Sequence, residues 1–531
     1  MGKRLRLYCK ILVVVTVFSL AACDGGAKDG SGYAFKCDIS ANPRTLDPQT
    51  AVDANALTVV SNLFEGLLRL DENGRITAGM AKEYSVSDDG LIYEFVLRED
   101  VYWTDRNGFE APCVSDDFVF AFRRLFNPAT KSRNAETYFC VKNSEKVNDG
   151  LLDPEWVGVR AEGDFNLRIT LEYPAPDFLL LLTGAPAFPC NEEFYIQSAG
   201  RYGLGADFVP SNGAFYLSEW VYDEWWTDEN RVILKRNAKN DGGSERTVFP
   251  SGINFYMDRG DFYSLFESGA SDCVVLSGEG AVSLINRNYP NESVENAVWG
   301  VAFNTKRDRG QDFRSALALA TDRDEIGADI PCYSKTSSLI PGSVKIGDNF
   351  YRDLAGGTKS PAPDAESAKA RYERAAARFG EADYVPVMIV PNDKAIVGIV
   401  GYVTQQWQEK LSFFCRIETL DSYGYNAKLS EGDYDLAVVR ITASYNSPSA
   451  IFEGIYAPDE VATLYQKARF ISDEKESAAL YKSAEEQIIK AAHFIPLCFQ
   501  TEYFFRNKKS EDLIYNPFTG TVVFREGKMF K

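Results

Sequence analysis

The sequence predicts an α/β fold that contains a parallel sheet, and three observations support this prediction. Between residues 364 and 440, amphipathic helices alternate with short apolar strands in a β–α–β–α–β order, which implies parallel strands with right-handed crossovers. The earlier parts of the chain also mix strand and helix patterns. A length of 531 residues exceeds one typical domain, so two or three domains are expected.

The chain body opens with a strand and a helix. Residues 33–40 alternate enough to form a strand, and two prolines then frame a turn. A helix is predicted over residues 56–70, because apolar side chains recur there at helical spacing. The side chains on this face are Val60, Leu63, Phe64, Leu67 and Leu68. The sequence DENG ends this element as a turn.

A second strand and helix follow. Residues 91–100 alternate as a half-buried strand does. Ser115 is predicted to cap a helix, with Asp116 and Asp117 in the first turn, where the helix dipole favours negative charge. The buried stripe of this helix is Phe118, Ala121, Phe122 and Leu125. Further strands are predicted within 166–172, 209–220 and 231–237.

The second half has the clearest pattern. Helices are predicted over 313–326, 364–380, 395–411 and 422–432, and two closing helices within 459–470 and 473–492. Strands are predicted over 384–390, 412–420 and 434–440. Ligands of such sheets bind beyond the carboxyl ends of the strands. The last strand continues directly into the sequence ITASYNSP, which makes this segment a candidate site.

The N-terminus has the pattern of an export signal. Lys3, Arg4 and Arg6 precede an apolar run, residues 11–22, that is too short to span a bilayer. An ordinary secretory signal, cut after a small residue, is one interpretation. The sequence LAAC, however, resembles the bacterial lipoprotein signal, which implies that Cys23 carries lipid and that residues 24–32 form a flexible tether. The body is then expected outside the cytoplasm, anchored to a membrane.

Composition excludes several function classes. The chain has 57 basic and 76 acidic residues and no compensating basic cluster, so nucleic acid is not expected as a partner. Ten cysteines occur without a C-x-x-C pair, which argues against zinc and iron–sulfur sites. The eight body cysteines allow about 105 complete disulfide pairings, and their spacing selects none. The single histidine, His493, excludes a two-histidine metal site and favours a structural role. No cofactor is expected.

Seven stretches in order resemble the extracytoplasmic solute-binding proteins of bacterial peptide ABC importers, the oligopeptide- and dipeptide-binding family 5. The resemblance covers almost the whole chain from about residue 35. The stretches are NPRTLDPQ, SNLFEGLLRLDENG, YWTDRNG…VSDDFVFAFRRLFNPAT, SNGAFYLSEW, RVILKRN, FRSALALATDRDEI and YDLAVVRITASYNSPSAIF.

The resemblance implies a periplasmic-binding-protein type II fold, in which two lobes close on a cleft and an extra domain is inserted. The signal would be residues 1–22 and the lipidated tether 23–32. The implied domains are domain I (33–66, 188–297 and 494–531), domain II (67–187) and domain III (298–493). Domains I and III would close on the ligand across a two-strand hinge.

The resemblance also implies ligand-binding residues. In peptide-binding members, the segment after the last parallel strand of domain III lies against the peptide main chain, which resembles strand addition. The matching residues here are Arg440, Ile441, Thr442, Ala443, Ser444, Tyr445 and Asn446. Further candidates, matched by their place along the chain, are Ser277, Glu279, Trp299, Tyr138, Asp53 and Asn55.

The chain departs from the family pattern at Ser444 and just upstream, where it has VRIT instead of the usual aromatic or small residues. Oligopeptide-binding members commonly carry an aspartate before the YN pair, where it binds the peptide α-ammonium, but this chain has Ser444. Arg440 could grip a ligand carboxylate through its fork of donors, or it could form a structural ion pair with an acid of domain I. Glu279 could replace the missing anchor or supply that acid. Trp299 could stack on the ligand or be a buried hinge residue.

Several functions agree with these patterns. The first is a monomeric lipoprotein, periplasmic or at the cell surface, that binds peptide and delivers it to an ABC permease and its ATPase. A non-peptide ligand and a surface sensor or adhesin on the same fold are alternatives, because fold alone does not set function. An extracellular hydrolase is disfavoured, since nothing marks a coupled carboxylate pair and one histidine weakens most nucleophilic mechanisms.

Overall fold

The computed structural model describes residues 32–225, 229–241, 247–326, 330–379 and 385–530. The predicted signal, Cys23 and the tether up to residue 31 lie outside these described residues.

The helices and strands follow in chain order. Residues 33–66 form β1 (Ala34–Ile39) and α1 (Ala54–Leu63). Residues 67–187 form β2 (Leu68–Leu70), β3 (Ile76–Ala78), β4 (Ala81–Val86), β5 (Ile92–Leu97), β6 (Tyr102–Thr104), β7 (Glu110–Pro112), α2 (Ser115–Phe126), α3 (Ser144–Asn148), β8 (Val159–Ala161), β9 (Asn166–Thr170) and α4 (Phe178–Leu181).

The third stretch contains α5 (Glu192–Gln197), β10 (Phe215–Val221), β11 (Arg231–Arg236), β12 (Gly252–Met257), α6 (Phe262–Glu267), β13 (Cys273–Leu276), α7 (Gly278–Asn286) and β14 (Asn291–Phe303). The fourth contains α8 (Gly310–Ala320), β15 (Tyr333–Lys335), β16 (Lys345–Ile346), β17 (Asn349–Phe350), α9 (Tyr351–Ala355), α10 (Ala365–Phe379), β18 (Val387–Pro391), α11 (Lys394–Leu411), β19 (Arg416–Leu420), α12 (Ser422–Glu431), β20 (Leu436–Thr442), α13 (Pro448–Phe452), α14 (Asp459–Ala468) and α15 (Glu474–Lys490). The C-terminal stretch contains β21 (Phe494–Arg506), β22 (Ser510–Glu511), β23 (Ile514–Asn516), β24 (Thr521–Val523) and β25 (Lys528–Met529).

One large sheet runs through the protein in the order β10-β11-β12-β1-β13-β21-β14-β20-β18-β19, and β15 pairs with β21. β18 pairs in parallel with both β19 and β20, so the parallel arrangement predicted from the β–α–β–α–β order is confirmed. A separate sheet, β4-β5-β9-β8, lies within the segment predicted as domain II.

The long strands β14 and β21 lie in the middle of the large sheet and join its two halves. The last residues of β21 pair with β13, while the last residues of β14 pair with β20. The two strands also pair with each other in antiparallel fashion, with register shifts between Glu295 and Ala297 and between Trp299 and Gly300. This strand pair therefore connects the segments predicted as domains I and III.

The predicted helix over 56–70 is too long. α1 ends at Leu63, because Phe64 adopts an extended conformation with φ −115° and ψ 155°. Gly66 then lies against the ring of Phe188, where an added Cβ would meet the ring at 2.6 Å. Leu68 begins a strand instead of continuing the apolar helix face. A tertiary contact that the local pattern does not contain thus redirects the chain.

The predicted cap of α2 is also wrong in detail. Ser115 is the first helical residue and its hydroxyl donates to the carbonyl of Gly163. Asp117 supplies the capping contact, because its carboxylate accepts from the backbone N–H of Val114 at 2.8 Å. The same carboxylate accepts from the indole of Trp103 at 2.8 Å. Asp117 therefore holds the start of α2 against β6.

The buried carboxyl of Asp117 is expected to make the free energy of unfolding depend on pH. Burial raises its pKa from 3.8 to about 6, although hydrogen bonds from Trp103 and Val114 act in the opposite direction. The folded state keeps this proton at pH values where the unfolded state has lost it, so stability falls as pH rises from about 4 to 6. Relative to Asp117→Asn, wild type is expected to lose about 3 kcal/mol across this window in urea unfolding. A difference between the two proteins that stays constant with pH would contradict the expectation.

Candidate functional site

A cavity of about 340 Å³ lies where the three predicted domains meet. α1, the hairpin β23–β24, β2 and residues 180–186 contribute to its wall, and residues 444–446 approach from the domain III segment. Small-molecule sites usually measure about 300–1,000 Å³, so the cavity suits a small ligand. The aromatic side chains that line it are Phe64, Tyr138, Phe188, Phe215, Tyr445, Tyr515 and Phe518.

Residues 444–446, which follow β20, form one wall of the cavity, and hydrogen bonds to neighbouring elements support them. The hydroxyl of Tyr445 donates to a carboxylate oxygen of Glu453 at 3.0 Å. The side-chain oxygen of Asn446 accepts from the backbone N–H of Lys345 at 2.8 Å. Ser444, between these elements, is exposed and lines the cavity. The segment is therefore fixed by its neighbours while it presents Ser444 to the interior.

Two ion pairs contribute to the wall. Glu65 and Arg525 lie 3.0 Å apart and their side chains are only 7% and 8% exposed. Arg69 and Glu526 lie 2.9 Å apart and are each about one third exposed. Each arginine is matched by a carboxylate, so these four side chains add no net charge to the cavity. The hydroxyl of Tyr138 donates to the carbonyl of Leu181 at 2.9 Å, which fixes its ring in the wall.

A charged cluster behind the wall joins the segments predicted as domains II and III. The guanidinium of Arg469 lies 3.2 Å from Glu453 and also attracts Asp177. Burial raises the pKa of both carboxyls, and Arg469 acts in the opposite direction on both. The rings of Tyr173 and Phe470 meet edge to face at 4.3 Å beside the cluster. These contacts link the segments predicted as domains II and III behind the wall that Tyr445 forms.

Three predicted site residues meet at Gln500 rather than at the cavity. The side-chain oxygen of Gln500 accepts from the indole of Trp299 and from Nε of Arg440, both at 2.9 Å. Its amide nitrogen donates to the hydroxyl of Ser277 at 3.1 Å. Arg440 also forms an ion pair with Glu502 at 2.6 Å. Arg440 therefore forms a structural ion pair, as one of the two predicted alternatives has it. The carboxylate that pairs with it belongs to Glu502 and not to Glu279.

The remaining candidates from the domain I segment lie away from the cavity, and two of them make structural hydrogen bonds. Glu279 is exposed in the first turn of α7. The carboxylate of Asp53 caps α1 by accepting from the N–H of Ala56 at 2.9 Å. Asn55 accepts from the N–H of Ser40 at 3.0 Å and lines a smaller, second cavity. The structure does not bring these three side chains to the 340 Å³ cavity.

The stretch expected to contact peptide reaches the cavity only with its last part. Ile441 and Thr442 belong to β20, where they pair with Val298 and Ala297 of β14. Ile441 and Ala443 are buried. At these two residues the edge of β20 is paired with β14. Residues 444–446 are therefore the part of the predicted stretch that lines the cavity. Tyr138 is the further candidate that lies in the wall.

Sequence reasoning missed the C-terminal hairpin as part of the site. The stretch IYNPFTG contains β23 and its turn to β24, and Tyr515, Asn516 and Phe518 line the cavity. A turn could be predicted from its proline and glycine, but nothing local indicates which surface it covers. Glu65 and Arg525 were missed for the same reason, since 460 positions separate them.

The described part of the chain holds neither a metal-binding cluster nor a membrane-spanning helix. No group of three or more histidine, cysteine, aspartate or glutamate side chains there is arranged to hold a metal ion. No helix among the same residues has the length and apolar character needed to cross a membrane.

Comparisons with known proteins identify the family. The profile of bacterial extracellular solute-binding proteins, family 5 Middle, matches residues 75–463. The dipeptide-binding protein DppE of Bacillus subtilis (strain 168) is 24% identical over 90% of this chain and 88% of its own. The probable deoxycholate-binding periplasmic protein YgiS of Escherichia coli (strain K12) is 25% identical over 88% of each.

A solved structure shares the fold. Listeria monocytogenes OppA bound to peptide superposes with a TM-score of 0.77 and 22% identity, covering 94% of this chain and 99% of that chain. The predicted type II periplasmic-binding-protein fold is therefore confirmed. Because the family profile spans most of the chain, this protein belongs to the bacterial extracellular solute-binding proteins of family 5.

Proposed function

We propose that this protein captures peptides in the 340 Å³ cavity and delivers them to an ABC permease and its ATPase. The observation that carries the proposal is the position of residues 444–446, which follow the last parallel strand and line the same cavity as α1. Ligands in open parallel sheets bind at this end of the strands. Relatives named as dipeptide- and oligopeptide-binding proteins support a peptide ligand.

The composition of the wall indicates how a peptide would be held. Aromatic rings offer apolar surface to side chains, while Ser444, Asn516 and backbone groups offer hydrogen bonds to the main chain. Ser444 supplies a hydroxyl and no negative charge, so a free α-ammonium would lack a salt bridge at this position. Binding would then depend on main-chain hydrogen bonds and apolar burial.

The proposed protein acts outside the cytoplasm and is anchored to a membrane. Export would be followed by lipid attachment at Cys23, with residues 24–32 as the tether. The protein would act as a monomer without a cofactor and would catalyse no reaction, since transport by an importer draws its energy from the ATPase subunits.

A non-peptide ligand is the second candidate, and one observation favours it. The cavity wall is mostly apolar and aromatic, and each of its two arginines already pairs with a carboxylate of the wall. Such a wall would also accept a rigid apolar solute that bears few polar groups. A relative named as a probable deoxycholate-binding protein has a similar level of identity to the peptide-binding relatives.

Native mass spectrometry of the protein purified from the cells that export it tests both candidates. Denaturation would release bound molecules, and fragmentation would identify them. A series of peptides of similar length is expected. A single non-peptide mass would replace the peptide ligand with the second candidate, and a protein that stays empty after incubation with peptide mixtures would contradict the proposal.

A further inference from the structure

Two buried thiols face each other across neighbouring strands of the large sheet. Cys37 of β1 lies directly opposite Cys273 of β13 in a parallel pairing. Their sulfur atoms are 3.7 Å apart, and the two residues are 6% and 3% exposed. No other pair of cysteines among the described residues makes a thiol–thiol hydrogen bond. The fold thus selects one pairing that the spacing in the sequence could not.

The backbone geometry suits a covalent bond between these residues. Adjacent strands lie about 4.7–4.9 Å apart, which is inside the range of about 4.4–6.8 Å between the Cα atoms of disulfide-bonded cysteines. Residues directly opposite each other project from the same face of the sheet, so both thiols point to the same side. A bond length of about 2.05 Å requires the sulfurs to approach from their present 3.7 Å, a movement on the scale of a side-chain rotation.

A second cavity lies beside this pair. A space of about 120 Å³ is lined by Cys37 and Cys273 together with Asn55 and Thr58 of α1. The two buried cysteines therefore border a cavity on one side. Helix α1 separates this space from the larger cavity, since Leu57 and Ser61 line the larger one. A bond between the cysteines would form away from the proposed ligand.

The surroundings favour a lasting cross-link over a catalytic thiol. The hydrogen bond from Cys273 to Cys37, burial and the nearby carboxylates of Asp272 and Asp38 hold the pKa of the Cys273 thiol well above its ordinary value. A thiol that ionises poorly is a slow nucleophile and a poor leaving group. A disulfide formed here would therefore resist reduction by small thiols.

We propose that Cys37 and Cys273 form a structural disulfide once the protein is outside the cytoplasm, where such bonds form and persist. The oxidant is a protein disulfide of the thiol–disulfide oxidoreductase class. Each cysteine loses its thiol proton and the bond between the two sulfurs forms. The disulfide of the oxidant breaks, and its two sulfurs take up the two protons and two electrons as thiols. The bond ties β1, the first strand after the membrane tether, to the centre of the sheet.

The test uses the full chain, exported with its own leader, extracted without reductant and alkylated with N-ethylmaleimide during lysis. Non-reducing digestion is expected to give one cross-linked species that joins the peptides of Cys37 and Cys273, and reductant should separate them. Recovery of both cysteines as alkylated thiols, either cysteine bonded to another partner, or a metal ion retained between the two sulfurs would overturn the proposal.

Thermal unfolding provides a second measurement. Wild type that is unfolded, reduced and refolded in the presence of reductant is expected to melt roughly 2–5 °C below the oxidised protein, because the bond closes a long loop in the unfolded chain. Cys415→Ser, which removes a half-buried cysteine without a thiol partner, should keep this shift. The double variant Cys37→Ser/Cys273→Ser should lose it. A shift of equal size in the double variant would overturn the proposal, and the mass measurement on wild type decides the question if that variant does not fold.

Discussion

Replacement of Arg525 by methionine is expected to lower the free energy of unfolding by about 3–5 kcal/mol. Arg525 and Glu65 form a 3.0 Å ion pair with both side chains less than a tenth exposed. Methionine keeps much of the side-chain length but removes the charge. Glu65 would then lose its guanidinium partner while it stays buried, and removing one member of a buried ion pair is costly. Urea unfolding followed by tryptophan fluorescence would measure the change.

Two variants make this expectation specific. Arg69→Met removes the other cavity arginine, whose pair with Glu526 is about one third exposed, and should cost less than about 1 kcal/mol. The double variant Arg525→Met/Glu65→Leu removes both buried charges and should recover most of the lost stability. Equal losses for Arg525→Met and Arg69→Met would show that burial of the pair does not determine its contribution.

Replacement of Ser444 by tryptophan is expected to weaken ligand binding about 100-fold or more, which corresponds to about 2.7 kcal/mol. Ser444 is exposed and lines the 340 Å³ cavity, so an indole at this position would occupy space that the ligand needs. The melting temperature should change little because the serine side chain supports no packed neighbour. Isothermal titration calorimetry with the molecules identified by native mass spectrometry would measure the affinity.

A surface variant provides the control for Ser444→Trp. Ser430 is exposed near the end of α12 and does not line the cavity. Ser430→Trp adds the same side chain and should leave affinity unchanged. If Ser444→Trp binds as tightly as wild type, the ligand does not occupy this cavity and the proposed site is wrong.

Much of the fold could be predicted because it depends on local patterns. The alternation of strands and helices after residue 364 set the parallel arrangement of β18, β19 and β20. The same reasoning failed at α1, where the apolar face continued to Leu68 but the helix ended at Leu63. Gly66 packs against Phe188 just beyond that end, and no helical periodicity reports a contact between residues so far apart.

The candidate site was only partly predictable. The segment after the last parallel strand could be singled out, because topology places strand ends together. Its extent could not, since the pairing of Ile441 and Thr442 with β14 leaves only residues 444–446 at the cavity. Trp299 and Arg440 were candidates by position, yet both bond to Gln500, a residue that no sequence pattern marked.

The sequence by itself determined the α/β class, the parallel segment, the absence of a two-histidine site and the serine at position 444. These properties depend on residue type, spacing and count, which a chain carries in any conformation. Only the tertiary structure decided which charges pair, which thiols face each other and where the cavity lies. Glu65 with Arg525 and Cys37 with Cys273 are separated by hundreds of residues. Such partners meet only when the whole chain folds. Contacts over this distance leave no local signal in the sequence.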